Sequence, residues 1–296
     1  MNNFLHWFVI SISVGSFLAC IWLIWWSSRP IKGESAKGEV TGHVWDEDLA
    51  EYNNPLPRWW LWLFYITIAT GLGYMAFYPA LGNFAGTSQW TQKKQYEQEM
   101  ANAAKKYSPV FDSFAAQPIL ALVKNEKAMK TGQRLFLNYC STCHGSDAGG
   151  ATGFPSLKDK DWLYGGTPET IKASIMNGRN GSMPPMAAAI GGGDNVENVA
   201  NYVMSLSGAP HDASKAAAGK TKFAVCAGCH GAEGKGNQAL GAPNLADNIW
   251  LYRGSISAIK KAIQKGRSGI MPPHKDFLGE KKIHLIAAYI YSLSNQ

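Results

Sequence analysis

Cysteine is scarce in this chain. There are five among 296 residues; four are bunched in two short stretches, and Cys20 stands alone. That distribution excludes a disulfide scaffold, which needs cysteines spread through a small secreted domain. Charge is absent from two long runs, "FLHWFVISISVGSFLACIWLIWW" (Phe4 to Trp26) and "WWLWLFYITIATGLGYMAFYPAL" (Trp59 to Leu81). Neither contains Asp, Glu, Lys or Arg. No basic residue precedes the first run and no small-x-small site follows it, which excludes a cleaved signal peptide. Each run has 23 residues, enough for a helix to cross a hydrocarbon layer of about 30 Å.

What is present is a motif used twice. "NYCSTCHGSD" (Asn138 to Asp147) and "AVCAGCHGAE" (Ala224 to Glu233) each place two cysteines three apart with a histidine directly after the second. Two C-x-x-C knuckles could pair into a tetrahedral zinc site, but zinc does not account for a histidine in each. Covalent haem does: the cysteines form two thioether bonds and the histidine reaches the iron from the proximal side. Cys140, Cys143 and His144 are therefore expected to hold one haem c, and Cys226, Cys229 and His230 a second.

The second half of the chain is duplicated. Cys140 maps onto Cys226 and Trp162-Leu163-Tyr164 onto Trp250-Leu251-Tyr252, and "NYVMSLS" near residue 207 matches "AYIYSLS" near residue 294. Two copies of this length are duplicated domains, not a solenoid. Each copy has a helix before the haem motif, a Gly-rich loop, and a helix starting at Thr167-Pro168 or Ser255. That helix stops at Gly178 or Gly266. A last amphipathic helix follows, with Val196, Val199, Val203 and Leu206 spaced for one face. "GAPHDASKAAAG" reads as the linker between copies. The boundaries expected are a membrane anchor at 1–81 with a loop at 27–58, a helical connector at 82–125, and two class I cytochrome c domains at 126–211 and 212–296. The fold class is mainly α.

After the middle helix the copies carry "NGRNGSMPP" and "KGRSGIMPP". Met183 and Met271 occupy the same place in both. A thioether is a soft axial ligand that raises the haem potential, and the prolines behind it stiffen the loop. These two methionines are the expected sixth ligands. Met186 competes with Met183 for the first haem; His274 is a loop histidine. The repeat leaves open whether each methionine serves its own copy or the other. Iron closed on both sides transfers electrons, whereas oxygen chemistry needs an open distal position.

Lys and Arg outnumber Asp and Glu by 28 to 21, and the excess falls in 212–296, with twelve against five. Such an excess reads either as an ordinary solvated surface or as a docking patch that steers an acidic redox partner; nucleic acid is not expected for an external haem domain. The loop at 27–58 has Arg29, Lys32, Lys37 and Arg58, while nothing basic precedes Phe4. By the positive-inside rule the loop faces the cytoplasm and both chain ends lie outside. Trp25, Trp26, Trp59 and Trp60 then form an interfacial belt. His6 and Cys20 are expected only to pack within the first span.

The phrase "GHVWDEDLAEYNNPLPRWW" (Gly42 to Trp60), followed by a span and two haem domains with "MPP" loops, resembles the CcoP family, the dihaem subunits of cbb3-type cytochrome c oxidases. Asn53, Asn54, Pro55 and Pro57 in it stop any helix. The resemblance covers the whole chain, with an added span at Phe4 to Trp26 where many members have a single one. It implies a multi-pass subunit of a bacterial inner membrane with periplasmic haem domains. Electrons would enter from a soluble or membrane-bound c-type cytochrome. They would pass to a monohaem cytochrome subunit and on to a haem–copper catalytic subunit that reduces oxygen to water and pumps protons. This chain itself would hold no oxygen site. Two alternatives are the dihaem subunit of a periplasmic dehydrogenase and a free-standing membrane-tethered shuttle.

Overall fold

The computed structural model describes residues 2–29, 32–54 and 57–295; Pro55, named above as a helix stop, lies outside them. The chain divides into two units, 1–106 and 107–296.

In the first unit the uncharged runs fold as helices α1 (Asn3–Ser27) and α2 (Arg58–Phe77). Both are long and apolar enough to cross a membrane. Asn2 caps α1 by accepting from the Leu5 N–H at 2.9 Å. Helix α2 ends four residues before the expected Leu81. Tyr78 precedes Pro79, and pre-proline crowding holds it extended at φ −115°, ψ 157°. A Cβ on Gly71 of α2 would come within 2.9 Å of the Phe17 ring, so the two helices touch there. His6 does more than pack: its Nδ1 accepts from the Asn83 N–H at 2.9 Å and ties the start of α1 to the turn after α2. Between the helices, β1 (Val40–Trp45) and β2 (Leu49–Tyr52) form an antiparallel hairpin. Nothing in the sequence pattern signalled it, because its turn, Asp46-Glu47-Asp48, lacks the glycine that such turns favour.

Helix α3 (Gln92–Ala115) and α4 (Ile119–Leu122) follow in the segment between the anchor and the first haem motif. The first copy then supplies α5 (Glu126–Tyr139), α6 (Ser141–His144), α7 (Pro168–Asn177), strand β3 (Arg179–Met183) and α8 (Asp194–Leu206). The second supplies α9 (Ala213–Lys222), α10 (Ala224–His230), α11 (Ile256–Lys265), strand β4 (Arg267–Met271), α12 (Lys275–Leu278) and α13 (Glu280–Ser294). Local rules act as the sequence predicts. The Thr167 hydroxyl accepts from the Thr170 N–H and that of Ser255 from the Ala258 N–H. Gly178 and Gly266 leave their helices at φ +68° and +70°. The stretch expected as a linker is mostly helix, since Asp212 caps α9 by accepting from the Lys215 N–H.

The cores do not respect the repeats. One packs Phe136 of α5 and Ile171 and Ile175 of α7 against Leu278, Ile283, Leu285 and Ile286 of α12 and α13. The connector joins it through Phe114, Ile119 and Leu122. The other packs Phe223, Ile259 and Ile263 of the second copy against Ile190, Val196, Val199 and Val203 of the first. Each copy's last helix has been handed to the other. The boundaries 126–211 and 212–296 therefore delimit sequence repeats, not packed bodies.

Two glycines make the exchanged crossings possible. A Cβ on Gly132 of α5 would lie 2.8 Å from the Leu285 carbonyl oxygen of α13, and one on Gly219 of α9 would lie 2.1 Å from that of Asn198 in α8. Strands β3 and β4 pair antiparallel, Arg179 opposite Met271 and Met183 opposite Arg267, at the point where the two chain segments cross over. The exchange also redistributes charge. Residues 179–266 hold nine Lys and Arg against five Asp and Glu, while 126–178 with 267–296 hold ten against seven. The basic excess of the last repeat is thus shared by both bodies.

Candidate haem sites

Each haem motif sits on a short helix that begins where a longer one ends. The N–H of His144 donates to the Cys140 carbonyl at 3.0 Å, and Gly145 then turns the chain out at φ +80°. In the second copy α10 does the same and leaves at Gly231, also φ +80°. Cys140 and Cys226 are half-buried and Cys143 and Cys229 exposed. Burial, with a smaller contribution from Cys143, pushes the Cys140 thiol up to about 11, and burial raises that of Cys226 too.

Both histidines are buried, at 8% exposure each. The His144 Nδ1 lies 2.9 Å from the Pro155 carbonyl oxygen and the His230 Nδ1 lies 3.0 Å from that of Pro243. A carbonyl only accepts, so each Nδ1 carries the proton and each Nε2 keeps its lone pair. Burial lowers both imidazole pKa values, which keeps the rings neutral and able to ligate a metal.

The methionines follow the exchange. Met271 packs into the core that holds Cys140, Trp162 and Met176. After it, the His274 N–H donates to the Ile175 carbonyl of α7 at 3.0 Å. The chain after Met183 goes the other way: the Met186 N–H donates to the Ile263 carbonyl of α11 at 2.7 Å, and Met186 packs on the core that Cys226, Leu245 and Trp250 also border. Met186, expected to compete for the first haem, is therefore a neighbour of the second motif. The Cβ positions of Gly178 and Gly266 would collide with the Met271 and Met183 carbonyls at 2.3 and 2.4 Å, so both loops lie close on the opposite copy's helix end.

The repeated Trp-x-Tyr and Arg residues frame these loops. The Arg179 guanidinium stacks over Tyr164 at 4.5 Å and that of Arg267 over Tyr252 at 4.4 Å. Arg179 Nε donates to Ser174 Oγ at 2.9 Å. The matching position in the second copy is Ala262, and Arg267 Nε is buried without a hydrogen-bond partner. A buried guanidinium N–H with no acceptor fits a site completed by an anionic group, such as a haem propionate.

These donor sets fit haem c and not zinc. Among the described residues no three His, Cys, Asp or Glu side chains converge on one point, so the two Cys pairs do not assemble a Cys₄ site. Each motif instead offers two thiols and one imidazole Nε2 at the edge of an apolar core.

Asp161, beside Trp162, is half-buried with Asp247 and Asp159 nearby. Burial first, then those two charges, pushes its carboxyl up to about 6 from 3.8. The folded state thus holds a proton that the unfolded state has lost between those values. Stability from this group is full at pH below 3.8, falls as pH rises to about 6, and stays low above it. Asp161→Asn should raise stability by about 1 kcal/mol at pH 7, discounted for solvent screening, and leave it unchanged at pH 3.5. Thermal unfolding at the two pH values checks this.

Comparison with known proteins gives the chain a family. Residues 37–85 match the family described as the N-terminal domain of cytochrome oxidase-cbb3, FixP. Residues 127–203 and 214–290 each match cytochrome c oxidase, cbb3-type, subunit III. The chain is 49% identical to the cbb3-type cytochrome c oxidase subunit CcoP of Rubrivivax gelatinosus, across 97% of this chain and 94% of that one. It is 39% identical to subunit FixP of Azorhizobium caulinodans, over 89% of this chain and 95% of that one. With subunit CcoP of Rhodobacter capsulatus the identity is 37%, over 88% and 98%.

Proposed function

This chain belongs to the CcoP/FixP family of cbb3-type cytochrome c oxidase subunits, an electron-transfer subunit with two tandem cytochrome domains, and we propose that it carries two haems c whose axial ligands are exchanged between the repeats. One haem is tethered by Cys140 and Cys143 and ligated by His144 and Met271. The other is tethered by Cys226 and Cys229 and ligated by His230 and Met183. Haem c supplies a one-electron iron couple.

The chain's own residues define what that couple can do. Pro155 and Pro243 hold the imidazoles in the tautomer that ligates. The Pro-Pro pairs behind Met183 and Met271 limit the freedom of the thioether loops, so each sulfur is held with little ordering cost. Two protein ligands per haem would leave the iron no site for oxygen, so this subunit would transfer electrons and leave oxygen reduction to a haem–copper subunit of the same complex. The strand pair β3–β4 carries both ligand loops, so the two sites are braced against each other.

In this reading α1 and α2 both span the inner membrane. The loop between them is cytoplasmic, and the haem domains and both chain ends are periplasmic. Electrons arrive from a c-type cytochrome and leave toward a monohaem cytochrome subunit and the catalytic subunit.

The observation that carries the proposal is the pair of buried histidines, each with Nδ1 fixed by a proline carbonyl directly after a Cys pair. Tagged purification in mild detergent tests it. The expected preparation has two haems c per chain together with haem b, copper and oxygen uptake from reduced cytochrome c. Haem c alone, without oxygen uptake, would point to the dehydrogenase or shuttle alternatives.

A further inference from the structure

The hairpin Val40–Tyr52 has no role in the haem sites. Trp45 stands opposite Leu49 and Val40 opposite Tyr52. β1 is irregular between Val40 and Val44, but on β2 side chains alternate, so Leu49 and Tyr52, three residues apart, face opposite sides. Both faces are open to solvent: Trp45 is 61% exposed, Leu49 62% and Tyr52 59%. The hairpin's fastenings are local, among them Asn53 N–H to the Glu39 carbonyl at 2.8 Å and Asn53 Nδ2 to the Ser35 carbonyl at 2.6 Å. A two-stranded hairpin is marginal in water by itself, and a two-sided apolar ribbon needs a cover.

Its charge says what kind of cover. Residues 40–52 contain Asp46, Glu47, Asp48 and Glu51 and no Lys or Arg. Asp46 and Glu47 sit at φ +48° and +71°, a left-handed conformation that L residues with side chains seldom adopt, so the turn thrusts carboxylates outward at a conformational cost. An anionic lipid leaflet repels such a tip. The cytoplasmic loops of integral membrane proteins carry an excess of Lys and Arg and attract it.

We propose that this hairpin is a docking element that inserts against a basic, apolar-lined cytoplasmic surface of another membrane subunit of the same oxidase. The proposal rests on the oxidase reading and on the cytoplasmic placement of the loop given above. Carboxylates supply steering and register, while Trp45, Leu49 and Tyr52 supply the buried contact.

The test uses the full chain in its native membrane. One variant replaces all four carboxylates by their amides (Asp46→Asn, Glu47→Gln, Asp48→Asn, Glu51→Gln). A second removes the apolar pair (Trp45→Ser, Leu49→Ser). Haem b and copper per chain are measured after detergent purification, with haem c per chain as the check that the haem domains have folded. The expected result is at least about a tenfold loss of haem b and copper in each variant, with haem c unchanged at its wild-type level. A photo-crosslinker at Leu49 should capture a membrane subunit of the copper-containing complex, identified by mass. Wild-type retention of haem b and copper in both variants overturns the hairpin assignment alone, as does crosslinking only to lipid or to a second copy of this chain. A wild-type preparation without haem b and copper overturns the oxidase reading, and the docking proposal with it.

Discussion

Met271→Leu is expected to open the haem of the first motif, although Met271 belongs to the second repeat. The two sites are separated by working in chains that keep only one. With Cys226→Ala and Cys229→Ala, the remaining haem is the one attached at Cys140 and Cys143. In that background Met271→Leu should take carbon monoxide binding from none to about one per chain, because a leucine cannot ligate iron. Met183→Leu in the same background should leave the haem closed. With Cys140→Ala and Cys143→Ala the pattern should reverse, Met183→Leu opening the site and Met271→Leu not. Met186→Leu should open neither. Met271 packs on the same core that Cys140 and Trp162 border, and the chain after each methionine docks onto the opposite copy's helix. The converse outcome, with each methionine closing its own repeat, would overturn the exchanged ligation.

The second large effect is expected at Gly219. A Cβ there would lie 2.1 Å from the Asn198 carbonyl oxygen and 2.4 Å from its carbon. Both obstacles are backbone, so no rotamer change relieves them. Helices α9 and α8 would have to part by roughly 1 Å or more to restore ordinary contact near 3.5 Å. That strips packing from Val199 and Phe223 in the second core. Gly219→Val should cost about 3 kcal/mol or more, a large share of the typical net stability of a domain. Thermal unfolding followed by haem absorbance should begin about 10 °C lower. The second site should be the one that loosens, because α8 and Met183 enter it together. An unchanged midpoint would show that α8 does not cross α9 at this glycine. Gly132→Val should act likewise on the first site, where α13 crosses α5 and the Leu285 carbonyl and Tyr289 Cβ both lie 2.8 Å from the added carbon.

Much of this protein can be read residue by residue. The Cys pairs and their histidines are covalent and local signals. So are the caps at Thr167 and Ser255 and the stops at Gly178 and Gly266, which need only nearby hydrogen bonds or a positive φ. The long uncharged runs mark two helices long and apolar enough to cross a membrane. A local cue misleads where it has two outcomes. "GAPHDASKAAAG" looks like a linker by its Gly and Pro, yet Asp212 serves as a cap and starts α9. The hairpin at Val40–Tyr52 was missed because its turn uses carboxylates at positive φ.

Local sequence supplies the inventory: two haem motifs, two methionine loops, a duplicated set of helices and two charge-free runs. Which copy's last helix covers which core is settled by packing alone. The copies are alike, so α8 and α13 offer similar apolar faces, and hydrophobic periodicity is the same for a helix packed on its own repeat or on the other. The choice is made by chain direction. Gly178 and Gly266 send the backbone into extended strands that pair antiparallel. A strand leaving one body along its partner arrives at the other, and the last helix of each repeat is carried with it.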